Sequence, residues 1–320
     1  MRSVQAIAIL LGLFKNFGDF NLHSTLLAVG IRIAQTLWVN AERPNNSLVL
    51  DEIYRRVWWT FMICEWLRRP YGPPCVREID FNIAPPLLLD DDELLDPTLA
   101  ENPHLAPPKP RPIQYHMAMI EIARCYHAFN MELGYVCHDE TKLEALVLKS
   151  DEALASVIDR LPPHLQAGSE IEALSDSDSN GGEQSLDWAL WQRNSISLVF
   201  LFYRMAINRV LQQQWIRSQH SYVRSRAVCL GSARATVSLI HRYSSALARY
   251  RPWATTANLF SAAITLAVEA QFCDEHTAAA YFEDVERCIA FFADIKDQSV
   301  VAARAIATLQ QYLSKPTDES

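Results

Sequence analysis

Apolar positions recur at three- and four-residue intervals along most of this chain, the spacing that gathers them on one face of an α-helix. Val4, Ile7, Leu10, Leu11 and Phe14 share such a face, which predicts a first helix over residues 3–17. A second follows over 21–40, where Leu26, Leu27, Ile31, Ile33, Ala34 and Leu37 form a broad stripe. A polar break from Asn40 to Ser47, with Pro44 inside it, precedes a third helix over 49–69. Asp51 and Glu52 stand near its start, where negative charge complements a helix N-terminus. Ile53, Val57, Phe61 and Cys64 line one side, and Tyr54, Trp58, Met62 and Trp66 widen it. A helix this apolar all round is expected to be buried.

Between Pro70 and Pro112 lie most of the 16 prolines, which rules out a continuous helix or a central strand there. The acidic run Asp90-Asp91-Asp92-Glu93 sits inside this stretch. Helical spacing resumes over 113–136 and 140–160, with Asp139 placed to cap the second. Gly168 to Ser185 is polar and acidic and reads as a disordered loop. Further helices are predicted over 186–218, 222–249, 254–273, 276–293 and 298–314, with a tail at 315–320. No repeat of fixed period is present, which argues against a solenoid. The fold class is therefore all-α: a single large multi-helix domain over residues 1–314, with proline-rich and acidic loop insertions.

Composition reinforces the helical reading. Only 9 of 320 residues are glycine, against a usual share of about 7%, so tight hairpins and phosphate-cradling loops are scarce. The net charge of −8 and the scattered arginines argue against a surface for nucleic-acid phosphates. Seven cysteines form no Cys-x-x-Cys pair and lie mostly in apolar helical runs, which points to reduced thiols. Met1-Arg2-Ser3 ahead of an apolar run mimics a signal peptide, but Gln5 interrupts the run and no small-x-small site follows. The longest later charge-free stretch, Trp253 to Val268, is too short to span a bilayer.

Candidate chemistry is sparse. A magnesium-binding Asp-Asp-x-x-Asp/Glu pattern would place carboxylates one helical turn apart. Counting from Asp90 or Asp91, the fifth position is Leu94 or Leu95, so the run reads as a solvated acidic loop. His116 and His127 share a helical face but have no third residue spaced to complete a zinc site; His127 reads as a partly buried hydrogen-bonding residue. No nucleophile elbow, dinucleotide fingerprint or P-loop occurs. No catalytic, cofactor-binding or metal-binding residue is assigned.

The segment Arg55-Arg56-Val57-Trp58-Trp59-Thr60-Phe61-Met62-Ile63-Cys64-Glu65, then Tyr71-Gly72-Pro73-Pro74, then Asp80-Phe81-Asn82-Ile83-Ala84-Pro85-Pro86 resembles the fungal-specific transcription factor domain, or middle homology region. That family reads Arg-Arg-Leu-Trp/Phe-Trp, an aliphatic–aromatic stretch ending near Asp, then Gly-Arg-Pro, then Asp-Ile-Asp-Val-Pro-Leu-Pro. Arg55, Arg56, Trp58, Trp59, Glu65, Gly72, Pro74, Asp80 and Pro86 carry the match. Val4–Leu37, Leu198–Leu211, Cys229–Ile240 and Pro252–Ala267 are similar to helices elsewhere in the family. Pro73 replaces the usual Arg, Glu65 the usual Asp, and Arg209-Val210 stands where Arg-Pro is common.

The resemblance implies a nuclear transcription regulator that works through protein partners (a full-length factor or a second copy) and responds to a small-molecule effector. The family's six-cysteine zinc cluster is not in this sequence, so no zinc and no direct nucleic-acid contact are expected of this chain. The signature residues need no chemistry: the tryptophans anchor helix packing, and Arg55 and Arg56 are placed to pair with Asp80 or another acid where the proline strip folds back. The alternatives are an interaction-only paralogue that pairs with a full-length factor, and a helical biosynthetic enzyme using the Asp90 run.

Overall fold

A computed structural model describes residues 1–16, 20–42, 47–67, 74–167, 187–218, 221–243, 253–297 and 299–313. These form thirteen α-helices, and no strand occurs among the described residues. The fold is all-α. The loop expected at 168–185 and the tail at 315–320 lie outside the described residues.

The chain divides into two compact units. The first draws on Met1–Leu13, Phe20–Gly134 and Ala153–Ser197. It begins with α1 (Arg2–Asn16), α2 (Phe20–Thr36) and α3 (Leu48–Trp66). The periodicity is sound, but the faces are narrower than the apolar pattern suggests. Val4, Leu11, Leu27, Ile31 and Ala34 are buried, whereas Leu10 and Leu37 reach solvent. Beyond α3 the proline-rich stretch forms a 3-10 turn at Glu78–Asp80, an extended strip, and the short helices α4 (Asp91–Leu94) and α5 (Pro97–Glu101). Then come α6 (Ile113–Val136), the part of α7 (Glu140–Asp159) from Ala153 on, and the part of α8 (Asp187–Arg209) up to Ser197; the rest of α7 and α8 belongs to the second unit. Asp139 caps α7, its carboxylate accepting from the Lys142 amide at 3.1 Å. The core of this unit gathers Val4, Leu27, Trp58, Phe61, Met62 and Ile120.

The second unit draws on Tyr135–Glu152 and Leu198–Ser320, with Phe14–Asp19. The helix expected over 186–218 is interrupted there. The Leu211 amide turns back to the Asn208 carbonyl at 3.2 Å, and α9 (Gln212–Arg217) starts afresh. Leu211 is fully buried at the break, so packing overrides a propensity that would have run straight on. After it come α10 (Val223–Arg242), α11 (Trp253–Glu269), α12 (Glu275–Ile295) and α13 (Val300–Leu313). Helix α11 packs against α10, α12 and α13. Its buried Ala257, Ala262, Ala263 and Ala267 let three neighbours approach it closely. Buried acids are matched with cations: Asp151 with Arg204, and Glu269 with Arg226.

All seven cysteines are free thiols, with Cys229 and Cys288 buried. No helix among the described residues is long and apolar enough to cross a membrane.

Candidate functional site

The signature residues come together because the strip after α3 runs back along it. Near the C-terminal end of the helix the Cys75 amide donates to Glu65 Oε1 at 2.7 Å, and the Trp66 indole donates to the Val76 carbonyl at 2.9 Å. Midway, the Trp59 indole donates to the Ala84 carbonyl at 2.9 Å. At the start of α3 the Leu87 amide donates to Glu52 Oε2 at 3.0 Å, and Arg56 Nη2 donates to the Leu89 carbonyl at 2.9 Å. A strip rich in proline cannot satisfy its backbone through a ladder, so the helix side chains do so instead.

Phe81 packs edge-on against Trp58 and Trp59, with ring centroids 5.3 and 5.4 Å away. Trp66 stacks on His127 at 4.4 Å, and the Arg124 guanidinium lies 4.6 Å over Trp59. Trp58 and Trp59 are buried, as expected of packing anchors, and so is Pro86. The Trp58 indole nitrogen is buried and has no hydrogen-bond acceptor among the described residues. Pro74 is half-buried; Gly72 lies outside the described residues.

The arginines do not pair with Asp80. A capping interaction turns Asp80 inward on its own 3-10 turn, where it accepts from the Arg77 amide at 2.8 Å and ion-pairs with that side chain at 3.1 Å. Arg55 instead grips Glu42 through two hydrogen bonds of 3.0 and 3.1 Å, and that pairing holds the Glu42 carboxyl below its usual range. Glu42 also accepts from the Ala84 amide at 2.9 Å. Arg56 donates to Glu52 at 2.8 Å and to Asp91 at 2.6 Å. Glu52 is buried, and burial pushes its carboxyl above the usual range despite Arg56. It works on the strip and on Arg56, not at the helix terminus where the sequence places it.

The acidic run is also more than a solvated loop. Arg111 forks onto Glu93 through two bonds of 2.8 Å, and Lys109 reaches both Asp90 and Glu93. Pairing with Arg111 holds the Glu93 carboxyl down at about 2. Asp91 is exposed and tied to Arg56. Among the described residues no group of three or more His, Cys, Asp or Glu is arranged to hold a metal ion.

Beside this framework, within the same unit, lies a hollow of about 600 Å³. Arg56 and Thr60 of α3, Asp90, Asp91 and Asp92 at the start of α4, Ile113 and His116 of α6, and Trp188 of α8 line it. Burial, helped by the Arg56 charge, lowers His116 to about 4, so its ring is neutral at pH 7. Sequence reasoning placed His116 only as one of a histidine pair and missed Glu42, Arg124 and Trp188. Their roles depend on long-range packing that no local pattern encodes.

No protein-family model matches the chain, and no curated protein and no solved structure matches it either.

Proposed function

We propose that the chain is a helical regulatory domain of a fungal transcription factor, acting in the nucleus through protein partners without touching DNA itself. The observation that carries this reading is how the signature side chains are used. Arg56, Trp59 and Glu65 bond the strip to α3 directly, and Arg55 does so through Glu42. A motif that defines a fold, not a reaction, is what the resemblance implies for a regulatory domain. The net charge of −8 further supports contact with proteins over contact with phosphate backbone.

The partner-pairing version draws support from α2. Leu22 and Val29 of α2, and Leu37 just after it, are exposed, with Leu26 and Ile33 half-buried between them. The enzyme reading draws little, because Asp90, Asp91 and Glu93 are each committed to a cation.

A reporter assay tests the proposal. Fusing the chain to an unrelated DNA-binding domain and activator is expected to change reporter output severalfold, and the R55A and W59A variants to lose that effect. Unchanged output from a fusion shown to be nuclear and intact would overturn the reading.

A further inference from the structure

We infer that the hollow between α3, α4, α6 and α8 binds a small organic amine: a protonated ammonium group on an aromatic or aliphatic body. Its volume of about 600 Å³ falls in the range of small-molecule sites. Its walls are of two kinds. Trp188, Ile113, Pro110, Pro112 and Leu89 offer apolar surface, and an indole face is the best aromatic partner for a cation. Asp90, Asp91 and Asp92 form an acidic rim.

Charge balance decides the ligand's sign. The Arg56 guanidinium is engaged by Glu52, Asp91 and the Leu89 carbonyl. Asp90 is matched by Lys109 at 3.0 Å. Asp92 is exposed and makes no ion pair among the described residues, so its negative charge is left uncompensated at the mouth. His116 adds no positive charge against it at neutral pH. An anion would meet the acidic rim before it met an arginine already occupied.

The inference rests on the hollow and not on the regulatory reading, and purified protein tests it without a reporter. Three probes with a common phenethyl body suffice: phenethylamine, phenethyl alcohol and 3-phenylpropionate, titrated by calorimetry into the full chain. Phenethylamine is expected to bind about threefold to fivefold tighter than the alcohol, the range of an exposed ion pair, and the acid to bind weakest. D92K should lower the amine's affinity to that of the alcohol or below, a larger change than it makes to the alcohol itself, which separates lost charge from a damaged pocket. W188A, with its helicity checked by circular dichroism, should weaken amine and alcohol together by about tenfold, as expected for a lost aromatic wall. Equal affinity for amine and alcohol, tightest binding of the acid, or no saturable amine binding at millimolar concentration would each overturn the proposal. So would a D92K protein that keeps the preference or a W188A protein with unaltered binding.

Discussion

The Trp59 indole donates to the Ala84 carbonyl across 2.9 Å, joining the middle of α3 to a strip 25 positions further along. The same ring lies under Arg124 and against Phe81 and Trp66, so one side chain sets both the strip and part of the core. W59A is expected to cost about 3–5 kcal/mol, as for other buried large-to-small changes. W59F keeps most of the ring but strands the Ala84 carbonyl, and should cost about 1–3 kcal/mol. Urea unfolding at constant m-value reads both. A W59F protein as stable as the wild type would deny the hydrogen bond any separate role.

The helices were legible because a 3.6-residue period is a local property. Segments such as 113–136 match the structure to the residue. The partners of Arg55 and Arg56 were not, because pairing across a proline-rich strip depends on the direction in which the strip returns. Asp80 looked available but is held by Arg77, three positions away, while Glu42 sits in a polar break with no periodic signal. The break at Leu211 was illegible for the opposite reason: its local sequence favours helix, and burial of that leucine decides otherwise.

Acid should expose the Glu93 pairing. Its carboxyl lies at about 2 in the fold against 4.5 for a free side chain, so between those values the unfolded chain binds more protons. The stability it contributes is therefore complete above about pH 4.5 and is lost as pH falls towards 2. E93Q should be less stable than the wild type at pH 7, by about 1–3 kcal/mol for bonds to a charged Arg111. The gap should close as the pH drops through this window. A gap that stays constant in urea midpoints from pH 7 to pH 3 would show that Arg111 does not hold the group.

His116 should titrate below the range of an ordinary surface histidine. Its folded value of about 4 lies below the free value of 6.5. Its contribution to stability is full above pH 6.5 and declines as the pH falls towards 4, where the unfolded chain takes up the proton first. In a proton NMR titration, the ring signal that disappears in H116N should stay neutral at pH 6. A midpoint above 6 for that signal would contradict the buried, neutral ring.

In the second unit, Glu269 is 1% exposed and accepts from Arg226 at 2.6 Å and the Trp215 indole at 3.1 Å. The two partners of this pair are unequally buried, since the Arg226 side chain keeps 27% of its surface. Removing the arginine strands a buried charge and should cost about 3–5 kcal/mol in R226M. Removing the charge of the acid leaves an arginine that can turn to water, so E269Q should cost only about 1–3 kcal/mol. Chemical unfolding of both variants checks the order. A costlier E269Q would overturn that order and the stranded charge that predicts it.

Gly30 offers a test of close approach between helices. A Cβ there would stand 2.8 Å from Ile7 Cγ2 and 3.0 Å from Phe61 Cζ, so α1 and α3 both crowd this point of α2. Alanine normally gains about 1 kcal/mol over glycine inside a helix, whereas overpacking a tight core costs about 1–3 kcal/mol. Phe61 is fully buried and has little room to give, so overpacking should win and G30A should be destabilised. Shortening Ile7 removes the nearest obstacle, and G30A should therefore be less harmful in an I7A background. The two changes should couple by at least about 0.5 kcal/mol in a double-mutant cycle. Strict additivity would mean that α1 is not seated against Gly30, and the core drawn from Val4, Leu27 and Phe61 would need a different arrangement.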